Sequence, residues 1–242
     1  MKVNVMGTSC TWFARNNTSF VIDDDIILDV PEGTYKDLIK VVDLEKLRCV
    51  FISHLHSDHF LDLHIITTQV MRFPGERTEK LRVYGPKGLL DTLIQLNTLL
   101  YGAPDEQSKE LLQKNIEYID LENGMEITEG EYNITAYKME HGAPETYGFI
   151  FKDKTGMVVG FPTDTAVCDN LHTILSQSKY AFLELSANSK HPTHICVDEY
   201  VSLVEQYKNA KIFTVHTNNK TQKFVEENGY NALHDFDVLN LD

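Results

Sequence analysis

The sequence predicts an α/β protein built as two βα halves stacked sheet to sheet, and three observations predict it. Short β-type apolar runs alternate with helical patterns along the whole chain, the pattern that places helices on sheets. Four of these runs end in a histidine or aspartate segment, at 53–59, 140–142, 163–165 and 215–217. No linker, repeat or low-complexity stretch divides the 242 residues, a length that fits one large domain over 1–242.

The elements follow in order. Strands are expected near 2–6, 18–23 and 26–29, and Pro31 stands just before a helix near 33–42. Cys49-Val50-Phe51-Ile52 forms the apolar part of a strand over 48–52. Phe60, Leu61, Leu63, Ile65, Ile66 and Val70 make an apolar stripe on the helix after His59. A strand at 81–84 precedes a helix at 87–100 with leucines at 89, 90, 96, 99 and 100. Residues 101–115, with Gly102 and Pro104, are least like core: a lid, a dimer contact or, most often for such segments, a surface excursion. Strands near 131–140, 147–152, 157–161 and 180–184 follow, then a helix near 196–207 and a strand at 211–215. The last helix, 220–228, ends at Gly229, as a C-cap glycine should.

The segment Ser53-His54-Leu55-His56-Ser57-Asp58-His59 carries the chemistry. Imidazole nitrogen and carboxylate oxygen are the usual ligands of zinc, manganese and iron, and a buried strand gives them a rigid support. His54 and His56, two apart, point the same way from an extended segment. Asp58 and His59 come where the chain turns into a helix, which can aim them at a second position. Two ions roughly 3.5–4 Å apart would then share the site. Glu140-His141-Gly142, Thr163-Asp164-Thr165 and Val215-His216-Thr217 each close a strand-length run. Four strand ends meeting at one edge would turn all of these side chains into one cavity.

His54 to His59, read as HLHSDH, resembles the signature of the metallo-β-lactamase superfamily, and His141, Asp164 and His216 follow in that family's order. The resemblance implies a four-layer αββα sandwich with a metal site at one edge. Within the superfamily the chain is similar to the ribonuclease Z-like phosphodiesterase branch. The similarity rests on Met6-Gly7-Thr8-Ser9, Arg15-Asn16-Asn17-Thr18-Ser19-Phe20, Tyr84-Gly85-Pro86-Lys87-Gly88, His141-Gly142-Ala143-Pro144 with Tyr147-Gly148-Phe149, and His194 to Glu199. True ribonuclease Z enzymes insert a long basic tRNA-binding arm between the third-histidine and aspartate motifs. Here only residues 142–163 lie between them, room for a hairpin.

The resemblance implies a metal-dependent hydrolase. His54, His56 and His141 would hold a first divalent ion, Asp58, His59 and His216 a second, and Asp164 would bridge them. Zinc is the expected metal, with manganese or iron as alternatives. A bridging hydroxide would attack phosphorus in a small nucleotide or cyclic phosphodiester. Asp58 could also orient the nucleophile, and His194 is the candidate general acid, with His191 its rival. Lactone or thioester hydrolysis by the same site, and a non-catalytic metal-binding sensor, are the competing readings. A diiron redox centre fits less well, since redox relatives usually carry a carboxylate where His56 stands and a flavin domain as well. Glu184 is either a partner of a ligating histidine or a strand-end surface acid, Tyr147 a substrate contact or a core aromatic. His64, His172 and His234 read as structural or solvated.

The formal net charge of −14 withholds the general attraction that dominates nucleic-acid binding. Lys36, Lys40, Lys46 and Arg48 are interleaved with acids. A small anionic substrate is therefore expected in place of a long nucleic acid. No apolar run reaches the roughly 18 residues of a membrane span, and the first residues read as a strand and not a signal peptide. Cys10, Cys49, Cys168 and Cys196 show no pair spacing, which fits a reduced, cytoplasmic setting. A homodimer is expected from the family resemblance.

Overall fold

The computed structural model is described for residues 1–11, 13–73, 75–102 and 105–242. In chain order the elements are β1 (Lys2–Gly7), β2 (Ser19–Ile22), β3 (Ile26–Leu28), α1 (Tyr35–Val41), β4 (Cys49–Phe51), α2 (Ser57–Phe60), α3 (Leu63–Arg72), β5 (Leu81–Gly85), α4 (Leu89–Tyr101) and α5 (Asp105–Lys114). There follow β6 (Ile116–Asp120), β7 (Glu126–Glu129), β8 (Tyr132–Met139), β9 (Thr146–Asp153), β10 (Val158–Thr163), α6 (Asp169–Gln177), β11 (Tyr180–Glu184), α7 (Val197–Gln206), β12 (Lys211–Val215), α8 (Asn219–Glu227), β13 (Asn231–Ala232) and β14 (Val238–Asn240).

Two seven-stranded sheets form, ordered β14-β1-β2-β3-β4-β5-β6 and β13-β12-β11-β10-β9-β8-β7. The period-2 alternation of each strand decides which layer its side chains enter. In β2, Phe20 and Ile22 face the space between the sheets and Val21 faces outward; in β4, Cys49 and Phe51 face in and Val50 out. The inter-sheet core is aromatic: Phe20, Phe51, Phe149, Phe151, Phe161 and Phe182 are all buried, and Phe161 stacks on Phe182 with centroids 4.8 Å apart. A second cluster lies under α1, α3, α4 and α5 on the outer face of the first sheet, a third under α6, α7 and α8 on the second. The result is the four-layer αββα sandwich.

Two motif glycines have a steric reason. A Cβ on Gly7 would lie 2.1 Å from the carbonyl oxygen of Asn17, and one on Gly148 would lie 2.7 Å from that of Pro162. Only glycine lets these backbones approach so closely.

Several expectations shift. The helix placed after His59 starts earlier, at Ser57, so Asp58 and His59 lie on it; it breaks at Leu61–Asp62, and α3 begins anew. The break has a tertiary cause, because Asp62 N–H donates to Val30 O and Asp62 Oδ2 accepts from Tyr35 N–H. The segment 101–115 is largely a helix, α5, which buries Leu112 and Ser108; Pro104 of that segment lies outside the described residues. β6, β7, β13 and β14 are strands that periodicity does not reveal. β9 and β10 are joined by a tight turn, with Asp153 N–H donating to Met157 O, so 142–163 forms a hairpin without an arm. No helix among the described residues is long and apolar enough to cross a membrane.

Candidate metal centre

The metal candidates sit at or just beyond strand ends. His54 follows β4 by three residues, His141 follows β8 by two, Asp164 follows β10 directly and His216 follows β12 directly. His56 caps α2, which carries Asp58 and His59. β8, β10, β11 and β12 all run the same way, so their C-terminal ends share one edge of the second sheet, opposite the end of β4.

The side chains converge in two groups. In the first, His54 Nε2 lies 3.0 Å from His56 Nδ1, and His141 Nε2 lies 3.2 Å from that same atom. In the second, His59 Nε2 and His216 Nε2 are 3.3 Å apart, and Asp58 Oδ2 is 3.8 and 3.6 Å from them. Asp164 Oδ2 stands between the groups, 3.9, 3.4, 3.7 and 3.4 Å from Nε2 of His54, His59, His141 and His216. Neighbouring nitrogens of a tetrahedral zinc shell are about 3.3 Å apart, given bonds of about 2.05 Å. The donors therefore stand at ligand spacing.

Hydrogen bonds behind the rings fix which nitrogen faces the centre. Asp29 Oδ2 accepts from His59 Nδ1 at 2.7 Å and from Ser53 Oγ at 2.8 Å. With its hydroxyl proton committed to Asp29, Ser53 Oγ accepts from His54 Nδ1 at 3.0 Å. His141 Nδ1 donates to Thr193 O at 2.9 Å. Each bond leaves an Nε2 lone pair turned inward, as a metal requires.

The electrostatics ask for a cation here. Burial opposes a charged His59 ring, yet the carboxylates of Asp164 and Asp29 hold it well above its ordinary range. His54, buried among other imidazoles, is held well below its range. Burial also opposes ionisation of Asp58, but a hydrogen bond from His216 and the charge of His59 bring it down to about 2. Asp164 is likewise pulled well below the carboxylate range, against burial, chiefly by His216 and His59. The donor set fits divalent ions, whose charge would replace the proton held between these groups.

Three strand ends turn through left-handed backbone at non-glycine residues: Asp29 (φ 62°), Thr163 (φ 58°) and His216 (φ 50°). Each such residue costs of order 1 kcal/mol and persists where its surroundings hold it. All three either belong to the donor set or adjoin it.

Of the remaining candidates, His194 lies two residues before the N-cap of α7, in a loop instead of at the start of the helix. Its Nδ1 is 3.1 Å from both Glu184 carboxylate oxygens, and its ring is 4.7 Å from that of His141. Burial opposes its charge, but Glu184 raises it to about 9. Glu184 is buried, not a surface acid; it also accepts from Thr165 N–H and Ser186 Oγ. His191 is exposed, its ring 5.2 Å from that of His194. Tyr147 is a core residue whose hydroxyl donates to Leu121 O. His64, His172 and His234 bond to Leu61 O, Tyr207 Oη and Glu226, away from the centre. Asp29 is not among the site residues expected from the sequence. Its one signal is position: an acid directly after an apolar strand, as Asp164 is. A cavity of about 570 Å³ opens onto Asp58, Asp164 and His216, with His194 on its wall.

A Beta-lactamase superfamily domain model matches residues 33–217. Ribonuclease Z from Pyrococcus horikoshii is 32% identical over 130 residues, which is 53% of this chain and 39% of that relative, so the match spans about two-fifths of the relative's length. The metallo-beta-lactamase fold protein YhfI from Bacillus subtilis superposes with a TM-score of 0.77 at 19% identity, over 98% of each chain. The short form of human tRNase Z does so with a TM-score of 0.75 at 19% identity, over 100% of each.

Proposed function

Because the chain belongs to the beta-lactamase superfamily, we propose that it is a metal-dependent hydrolase of phosphodiesters, acting on a small nucleotide or a cyclic phosphodiester. The observation that carries this reading is the pair of donor groups meeting at Asp164 Oδ2, with His194 on the wall of the cavity beside them. His54, His56 and His141 would hold one divalent ion and Asp58, His59 and His216 the other, with Asp164 shared; zinc suits these donors best. When bound, such ions act as Lewis acids and make water a nucleophile near neutral pH.

The chain's own residues do the rest. Asp58, kept ionised, orients the attacking water through a carboxylate oxygen. His194 holds its Nδ1 proton against Glu184, which leaves Nε2 as the atom that gives a proton to the departing oxygen. The names of the curated relatives, ribonuclease Z, favour phosphorus over lactone or thioester carbonyls. The tight β9–β10 turn argues against a tRNA-binding arm and, with the charge of −14, for a small substrate. Four unpaired cysteines suit a reducing cytoplasm. A homodimer belongs to the same proposal; exposed Phe73, Leu99, Leu100 and Tyr101 offer apolar surface for it.

The test pairs metal content by mass spectrometry with hydrolysis of bis(p-nitrophenyl) phosphate, a lactone and a thioester, before and after chelation. About two ions per chain, with diester hydrolysis lost on chelation and restored by zinc, is the expected result. Turnover of the lactone or thioester alone would overturn the phosphodiesterase reading. A loaded protein that cleaves none of them would indicate a sensor.

A further inference from the structure

The cavity over the metal candidates has walls of an unusual kind for a site meant to hold phosphate. Among the described residues its lining consists of histidines, two aspartates, small neutral side chains such as Ser57, Ser186 and Asn218, and the aromatic Phe13, with no lysine or arginine. Arg15, two residues after Phe13, spends its donors within the protein. Its guanidinium donates to Thr8 Oγ1, Thr217 O, Thr217 Oγ1 and Gln222 Oε1, and so ties down the loop that carries Phe13. Further ties to that loop are Cys10 N–H to Thr217 O and Thr18 N–H to Ser9 O. Phe13 is 37% exposed, and among the described residues no ring stacks on it. An apolar ring held on a braced loop at a cavity wall is a surface waiting for a flat partner.

Resting on the phosphodiesterase reading, we infer that the substrate is a monoanionic diester with one flat ring substituent, and that Phe13 is the specificity residue on which that ring stacks. The charge argument is direct. Bound ions can meet the one charge of the scissile diester, but an extra phosphate would find no lysine or arginine among the described lining residues, only the His194 ring already paired with Glu184, and would face the field of an acidic protein. The ring argument is also direct: stacking of a base on an aromatic side chain is sequence-tolerant and favourable by about 1–3 kcal/mol. A cavity of about 570 Å³ is of the size that takes a small organic ligand.

Three esters with a common leaving group test this on the zinc-loaded protein: thymidine 5′-(p-nitrophenyl) phosphate, methyl p-nitrophenyl phosphate and the dianionic monoester p-nitrophenyl phosphate. The wild type is expected to prefer the thymidine diester and to neglect the monoester. In Phe13→Ala the kcat/KM ratio of thymidine to methyl ester falls about tenfold, through KM, while Phe13→Trp keeps it. The calorimetric Kd for thymidine 5′-(methyl phosphate), a monoanionic diester with a poor leaving group, rises by a similar factor in Phe13→Ala. An unchanged ratio and Kd, with hydrolysis intact, overturns the platform alone, and preference for the monoester overturns the charge argument. No hydrolysis of any ester sinks the phosphodiesterase reading, and the substrate inference with it.

Discussion

The carboxylate of Asp29 receives the Nδ1 proton of His59 at 2.7 Å, and its two oxygens also bind the backbone N–H and the hydroxyl of Ser53, at 2.7 and 2.8 Å. Through Ser53 it steadies His54, so one acid outside the candidate donor set fixes the aim of a candidate ligand in each group. Replacing Asp29 by Asn is expected to weaken metal binding about 10- to 100-fold, the usual effect of losing such a partner. Asn tolerates the left-handed backbone at this position, so the far-ultraviolet circular dichroism should hold. Competition against a chromogenic chelator reads the affinity, and an unchanged curve would count against this role.

The two donor groups predict separable losses. His56→Ala and His216→Ala should each retain one ion per chain where the wild type is expected to hold two. Hydrolysis should fall by more than the roughly hundredfold seen for outer-shell changes. Mass spectrometry of the purified variants gives the stoichiometry, and two ions retained in either would contradict the assignment.

His194 predicts a pH limb. Burial works against its charge, yet Glu184 raises its pKa from the ordinary 6.5 to about 9. A raised pKa means the proton is present at neutral pH and is lost as pH rises through the folded value. The positive charge of ions bound as proposed would draw that value downward, so kcat should decline on the alkaline side between 6.5 and about 9. Glu184→Gln should move this limb to lower pH. His194→Ala should slow alkyl esters by about 10²–10⁴-fold and p-nitrophenyl esters much less, because nitrophenolate leaves without a proton. Equal losses on both would argue against proton donation.

Stability has its own test at Arg82 and Glu129. Glu129 is buried on β7 and accepts from Arg82 Nε at 2.5 Å, Arg82 Nη2 at 2.7 Å and the Tyr84 hydroxyl at 2.6 Å, so it joins the second sheet to β5 of the first. Arg82→Met strands a buried acid, which usually costs about 3–5 kcal/mol. The Arg82 side chain is 28% exposed, so a loss nearer 2 kcal/mol is expected in urea denaturation. A change below about 0.5 kcal/mol, the level of an ordinary surface substitution, would show that the pair contributes little.

The candidate donor set is readable in the sequence because it is local twice over. Four of its members fall within six residues, and the other three each close an apolar strand, where side-chain direction follows from the pleat. Their partners were less readable. Asp29 and Glu184 are single acids at strand ends, and only the packing of distant segments shows that they meet His59 and His194. The left-handed turns at Asp29, Thr163 and His216 leave no compositional trace, since none is a glycine. In the fold, α5 shows a mean polarity that hides its buried face, where Leu112 and Ser108 pack. β6 is an edge strand with only one fully buried residue, Ile116, and gave periodicity little to detect.

The donors come from both sheets: His54, His56, Asp58 and His59 from the first half of the chain, His141, Asp164 and His216 from the second. An ion seated here would rivet the two halves at one rim, while the aromatic layer glues them across the middle. Metal supply would then govern how long the folded chain survives as well as how fast it turns over. Metal-starved protein should be clipped by proteases first where the rim opens, in the loops after β4, β8 and β12.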